Sequence, residues 1–366
     1  MNNILEQEKL DDFIKENKLQ PFRKKQIYKE IFDNSVLDFE NITTIPKNLQ
    51  TKLKENFELL TLTPNQIIEE TKDFTKFSFT TKNQELIESV LMYHYHTRED
   101  GTQKLNRITL CVSSQVGCNV WCLFCVTWQL GFSSNLHWLD IIGQLLYANN
   151  YVKNKFWKKE DGTWHKVRNV VFMWMGEPLL NYENVTKSIN IMLGQSYGFN
   201  MSKKHITIST VWIIPKIYQL IEDNIPVMLA VSLHAPTQEL REKLIPIWKK
   251  YTITNLIKAL DDYYKHTKNR IFHEYIMIKN YNDLPEHANN LTKLLKHQDC
   301  HINLIPYNEN PAVPDLEESP LENIENFKST LEKNNLTVTK RHNMGREEKW
   351  ACGQLWYENL QKKKGT

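Results

Sequence analysis

Apolar residues recur three and four positions apart from Asp11 to Leu19 and from Arg23 to Phe32. After a break at Ile45-Pro46 the same spacing resumes from Lys47 to Phe57. Such spacing gathers apolar side chains on one helix face, so residues 1–65 read as a small helical accessory domain. From about 66 to 104 the period falls to two and continues to 112. Phe74–Phe79, Leu86–Tyr95 and Arg107–Cys111 alternate or are rich in β-branched and aromatic residues, with turn chemistry at 81–84 and 99–101. This pattern predicts a β meander that carries the chain into a main domain.

Beyond residue 105 the pattern alternates. Helices are predicted at 135–149, 182–194, 214–223, 238–246, 253–265, 284–297 and 321–334. Strands are predicted at 169–175, 205–210, 227–234, 270–278, 301–306 and 336–341, and a polar insertion occupies 153–167. Repeated strand-then-helix units imply a parallel sheet with right-handed crossovers. Loops at the C-terminal ends of its strands then line one face, where such folds place their chemistry. The expected class is α/β, with the main domain spanning 105–350 and a C-terminal segment at 351–366.

Composition narrows the classes. With 41% apolar residues in 366, the chain can bury a sizeable core. The first nine residues are polar and acidic, unlike a signal peptide, and apolar runs such as 225–233 are too short to span a membrane. Six cysteines, three of them in one loop, fit a reducing cytoplasm. A net charge of +3 does not by itself announce a nucleic-acid binder, and the short basic runs at 158–159, 203–205, 249–250 and 362–364 read as solvated faces.

The densest chemistry is Cys118-Asn119-Val120-Trp121-Cys122-Leu123-Phe124-Cys125. Three thiols this close leave one over in any disulfide scheme. Zinc asks for a fourth ligand that does not follow nearby, whereas an iron–sulfur cluster is held by cysteines at such local spacings. Three ligands leave one iron of a four-iron cluster open. The competing reading is three cysteines meeting by chance in a buried loop.

The spacing resembles the signature of the radical S-adenosylmethionine (SAM) superfamily. The run Cys111 to Cys118 leads into it, with Gln129-Leu130-Gly131-Phe132, Asn135-Leu136 and Ile141 to Gln144 beyond. Later come Met175-Gly176-Glu177-Pro178-Leu179, Ile208-Ser209-Thr210, Val231 to Pro236, Ile302 to Pro306 and Ala351-Cys352-Gly353-Gln354-Leu355. In this order, and over nearly the whole chain, these motifs resemble the RlmN family of RNA adenine-carbon-2 methyltransferases. The resemblance implies a partial (β/α) barrel of about six units carrying the cysteines on the loop after its first strand. It also implies an accessory domain that engages RNA, a [4Fe–4S] cluster on Cys118, Cys122 and Cys125, and two SAM molecules per turnover.

By the same resemblance Gly176 and Glu177 bind the SAM amino group, and Ser209, Ser232, Leu233, His234 and Asn308 contact SAM. Cys352 is methylated by one SAM. A second, cleaved to a 5′-deoxyadenosyl radical, abstracts hydrogen from that methyl group, and the methylene radical adds to the adenine. Glu88 accepts the proton, and Cys111 closes a disulfide with Cys352 to release the methylated base. The implied partners are 23S rRNA, tRNA or both and a reductase system such as flavodoxin, with no membrane and no DNA. Cys300 has no assignment and reads as core. The alternatives are adenine-carbon-8 methylation, as in Cfr-type enzymes, and an inactive iron–sulfur RNA-binding paralogue.

One departure stands out. Trp121, Trp128, Trp174, Trp212 and Trp350 occupy positions where the family pattern mostly has glycine. The chain holds 11 glycines and 10 tryptophans, where average usage gives roughly 26 glycines. Indoles there would crowd the cluster, SAM and the Cys352 loop. The expectation is that UGA encodes glycine in the source organism and was read as tryptophan. A genuinely altered, inactive paralogue is the other reading.

Overall fold

The computed structural model describes residues 1–173, 175–211, 213–246, 251–309 and 313–341. They form two compact units whose segments interleave along the chain. The first comprises Met1–Ser113, Leu136–Val171 and Glu183–Ile206; the second comprises Ser114–Asn135, Phe172–Tyr182 and the described residues from Thr207 onward.

The first unit opens with β1 (Asn2–Asn3), α1 (Gln7–Glu16), α2 (Phe22–Phe32), α3 (Lys47–Asn56) and β2 (Phe57–Glu58). Leu10, Phe13 and Ile14 form the buried stripe of α1, and Phe13 meets Phe57 edge-on at 5.2 Å. Helix α1 starts four residues before the apolar pattern shows it, because its first turn, Gln7-Glu8-Lys9, is polar. It ends before Lys18, whose φ of 51° leaves the helical region. Strands β1 and β2 pair in parallel and tie the chain start to the end of α3.

The meander has one strand more than expected. Strand β3 (Thr63–Glu70) joins β4 (Phe74–Thr80), β5 (Leu86–Thr97) and β6 (Gln103–Cys111), all antiparallel. Its sequence hides it: Pro64 and two register shifts interrupt the alternation, and Ile67 and Ile68 are both partly exposed. Proline and irregular pairing are typical of an edge strand.

The hairpin strands β7 (Gln115–Gly117) and β8 (Phe132–Asn135) follow in the second unit, and the chain then returns to the first with α4 (Trp138–Lys155). Helix α4 outruns its predicted end by six residues. Lys155 and Tyr151 both reach Glu70, at 2.6 and 2.5 Å, and lysines in the last turn complement the helix dipole. The polar insertion therefore begins only after α4. Phe77 on β4 packs edge-on against Tyr147 and Tyr151. Strand β9 (Asn169–Phe172) pairs parallel to β6, with Cys111 opposite Val171, and α5 (Tyr182–Leu193) follows.

The second unit continues with β10 (Ile206–Thr210), α6 (Ile214–Glu222), β11 (Met228–Ser232), α7 (Gln238–Leu244), α8 (Ile253–Thr267) and β12 (Ile271–Met277). Next come α9 (Pro285–Leu295), β13 (Cys300–Pro306), α10 (Leu321–Lys333) and β14 (Thr337–Lys340). Strands β10 to β14 pair in sequence order, all parallel, with Ser209 opposite Ala230, Ser232 opposite Glu274 and Glu274 opposite Asn303. Ile208, Leu229, Val231, Ile302 and Leu304 are fully buried, as strands covered on both faces require. The strand–helix alternation is the one the sequence predicts, and Cys300 is core. No helix among the described residues is long and apolar enough to cross a membrane.

An ion pair lies inside the meander. Lys76 Nζ on β4 approaches Glu88 Oε2 on β5 at 3.0 Å, with both side chains almost wholly buried. Removing one partner of a buried pair strands the other charge. Lys76→Met is expected to lower unfolding free energy by about 3–5 kcal/mol in urea titration, and Lys76→Met with Glu88→Leu to recover most of it. An unchanged midpoint in the single variant would contradict this account.

Candidate active site

The cysteine loop is closed at its base by β7 and β8, where Gln115 pairs with Asn135 and Gly117 with Phe132. Gly117 has φ +74°, and a Cβ there would lie 1.7 Å from the Gly131 carbonyl oxygen; only glycine allows the two strands to meet. Cys118 N–H donates to that carbonyl at 3.1 Å, Cys125 N–H to Cys122 O at 3.0 Å, and Leu123 N–H to Leu244 O at 2.9 Å. The last bond ties the loop to the end of α7.

Cys118, Cys122 and Cys125 open into one cavity of about 140 Å³. Its walls include Gly176 and Glu177, Ser209 of β10, Ser232 and His234 after β11, and Glu274 of β12. Burial pushes the Cys118 thiol up to about 12, with Cys125 adding repulsion. The same desolvation raises Cys122 and Cys125. Among the described residues no three His, Cys, Asp or Glu side chains gather about a single ion. A cubane binds each thiolate at a different iron, so its ligands line a cavity instead. Three thiols around one shared space, with the Glu177 carboxylate in the same lining, fit a [4Fe–4S] cluster and its SAM.

Glu177 is buried and held by its neighbours. Its Oε2 accepts from Val211 N–H at 2.8 Å and its Oε1 from Leu179 N–H at 3.0 Å. Its own N–H donates to Gln115 Oε1 at 2.8 Å. Burial raises its pKa to about 7, against the lowering effect of the Val211, Leu179 and Thr210 hydrogen bonds. Gly176 has φ +96°, and a Cβ would fall 2.5 Å from Cβ of Gln115. Glycine is thus what brings the Glu177 backbone against Gln115.

His234 has φ 56°. Its Nδ1 accepts from Ile276 N–H at 3.1 Å, which places the ring proton on Nε2. Burial, then the charge of Arg241, lowers its pKa to about 3, so the ring is neutral. Ser209, Ser232 and His234 line the same cavity. Leu233 is fully buried in the core; it and Asn308, just beyond the cavity-lining Tyr307, are not among the wall residues.

Cys111 and Glu88 lie in the first unit, buried on the adjacent strands β6 and β5. Gln144 of α4 grips Ser113 at both ends, accepting from its N–H at 2.9 Å and donating to its carbonyl at 3.1 Å. Ser113 Oγ in turn donates to Glu88 O at 2.5 Å. Cys352 lies outside the described residues. Sequence reasoning overlooked Gln115, Glu274 and Arg241. Gln115 stood within a quoted motif, but its role depends on a contact 62 residues away.

Trp174, Trp212 and Trp350 also lie outside the described residues. Trp121, beside Cys122, has φ 63°, a left-handed conformation that bulky residues rarely adopt. Its indole is 56% exposed and stacks on Trp128 at 5.5 Å.

Residues 3–59 match the family described as the ribosomal RNA large subunit methyltransferase N-terminal domain, and residues 112–291 the Radical SAM superfamily. The chain is 40% identical to a probable dual-specificity RNA methyltransferase RlmN of Dictyoglomus thermophilum, over 97% of each chain. It is 38% identical to one so described in Clostridium botulinum, over 97% of this chain and 96% of that one. A crystal structure of a radical SAM methyltransferase from Sphaerobacter thermophilus superposes with TM-score 0.84 at 33% identity, covering 96% of this chain and 97% of the other.

Two outcomes follow from this geometry. If Glu177 takes the SAM ammonium, as the family resemblance implies, binding needs it ionised, and SAM affinity of the cluster-loaded protein is expected to fall about tenfold per pH unit below about 7 and level off above it. Calorimetry checks this, and a flat profile between about pH 6 and about pH 8 would contradict it. Protein isolated from its native source is expected to yield peptides with glycine at 121 and 128. Peptide masses carrying tryptophan there, or UGG codons, would rule out the UGA reading.

Proposed function

Because the chain belongs to the RlmN family of radical SAM RNA methyltransferases, we propose that it methylates carbon 2 of adenine in 23S rRNA, tRNA or both through a methylated Cys352. The observation that carries the site assignment is the single cavity shared by Cys118, Cys122, Cys125 and Glu177. When bound there, the cluster supplies the electron that cleaves SAM to a carbon-centred radical.

The chain's own residues do the rest. Cys118, Cys122 and Cys125 would hold the cluster, three protein thiolates to its four irons. Glu177, already held by two backbone N–H groups, receives the SAM ammonium and fixes its orientation. His234 offers a neutral Nε2–H, and Ser209 and Ser232 offer hydroxyls from neighbouring strand ends, while Phe124, edge-on to His234 at 4.7 Å, helps exclude water. Adenine carbon 2 is not nucleophilic, so a thiolate accepts the methyl group first; Cys352 has that role. The Cys111 thiolate then attacks the Cys352 sulfur: a Cys111–Cys352 disulfide forms, the sulfur–carbon bond to the adduct breaks, and its electron pair stays with the carbon that becomes the new methyl group on protonation. Glu88, beside Lys76 on the neighbouring strand, accepts the proton lost from carbon 2. The target base must be splayed out of folded RNA to reach the site. A flavodoxin-type donor in the cytoplasm is the matching electron source.

The test is anaerobic reconstitution with iron, sulfide, SAM, a low-potential reductant and RNA, followed by nucleoside mass analysis against 2-methyl- and 8-methyladenosine standards. The expected product is 2-methyladenosine. Cys352→Ala is expected to abolish turnover, and Cys111→Ala to trap a covalent protein–RNA adduct. Free methylated RNA at a normal rate from Cys111→Ala would overturn these roles.

A further inference from the structure

Arg241 on α7 is 1% exposed, yet the fork of its guanidinium is spent on main-chain carbonyls. Nη1 donates to Ser232 O at 2.8 Å and to Leu233 O, and Nη2 donates to Val211 O at 2.7 Å. These acceptors sit at the ends of two strands that wall the cavity. The Ser232 and Leu233 carbonyls immediately precede His234, whose backbone is left-handed. Val211, whose carbonyl Arg241 holds, presents its N–H to Glu177 Oε2. Three residues further along α7, Leu244 O receives Leu123 N–H from the cysteine loop. One short helix thus reaches the β10 end, the β11 end and the cluster loop.

We propose that Arg241 is a positioning residue for the cofactor site, fixing the backbone that presents Glu177, Ser232 and His234 to SAM and keeping a positive charge beside the cluster loop. A planar fork with several donors can bridge carbonyls on separate strands; burial lowers the Arg241 pKa, opposed by Cys122, but a guanidinium starts so high that it keeps its charge. An ammonium is charged but lacks the fork. The charge reaches the thiols: it opposes the burial that raises Cys122. A cluster on three thiolates carries net negative charge, and reduction adds one more, so a nearby buried cation favours the reduced state. Net charge around such clusters is one determinant of their potentials.

This inference rests on the cluster and SAM assignment and is read without RNA, so its failure leaves the methylation reading intact. The experiment compares reconstituted full-length protein with Arg241→Lys and Arg241→Met, by EPR-monitored redox titration and calorimetric SAM binding. Arg241→Met is expected to shift the reduction equilibrium about tenfold toward the oxidised cluster, 59 mV for one electron, and to weaken SAM binding about tenfold. Arg241→Lys is expected to keep the midpoint but weaken SAM binding about as much, because charge survives and the three-carbonyl clamp does not. Parental SAM affinity in Arg241→Lys overturns the proposal, as does an unmoved midpoint in cluster-loaded Arg241→Met. If Arg241→Met fails to hold a cluster, the lysine variant decides alone.

Discussion

Taking acidic groups out of water is the constraint on which the second unit depends. Three thiols and the Glu177 carboxylate share one cavity, and desolvation pushes each of them toward its neutral form. A site of this kind is poorly satisfied by its own protein. On the proposed assignment its anions become stable when cations arrive, iron at the sulfurs and the SAM ammonium at Glu177. The chain prepares for them with oriented backbone N–H groups at Glu177 and the buried guanidinium of Arg241. On that assignment, selectivity for the cofactor pair begins with the electrostatics of the pocket's own groups.

Holding such a pocket open requires rigid surroundings, and the rigidity comes from backbone geometry more than from side-chain bulk. Gly117 lets the hairpin strands touch below the cysteine loop, and Gly176 lets Glu177 close on Gln115. The parallel strands bring their C-terminal ends to a common level, so residues far apart in sequence become neighbours. Gln144 does the corresponding work in the first unit, fixing the chain just past Cys111.

Much of this was legible in the sequence. The strand–helix alternation announced the parallel sheet because buried strands and amphipathic helices have different periods, and the cysteine triad announced its own chemistry through spacing. What stayed hidden was non-local or irregular. Strand β3 has a proline and broken register, so no alternation marks it. The short hairpin around the cysteine loop carries too few residues to show any period. Arg241 reads in sequence as one more charge on an exposed helix, since nothing local says that three carbonyls from two strands will converge on it. Nothing local to Glu88 says that Lys76, twelve positions earlier, will be buried beside it.

The interleaving of the two units carries a consequence for biosynthesis. The chain crosses between them five times, and the first unit ends at Ile206 with most of the second still to be made. The cysteine loop leaves the ribosome early, but Ser209, Ser232, Glu274 and Tyr307, which wall its cavity, follow over the next 180 or so residues. At roughly 5–20 residues per second the thiols spend on the order of 10–40 s without their pocket. During that interval they are ordinary exposed cysteines, open to oxidants and stray metals. Loading of the cluster is in this sense a late event, timed by the last strands of the sheet and not by the ligands themselves.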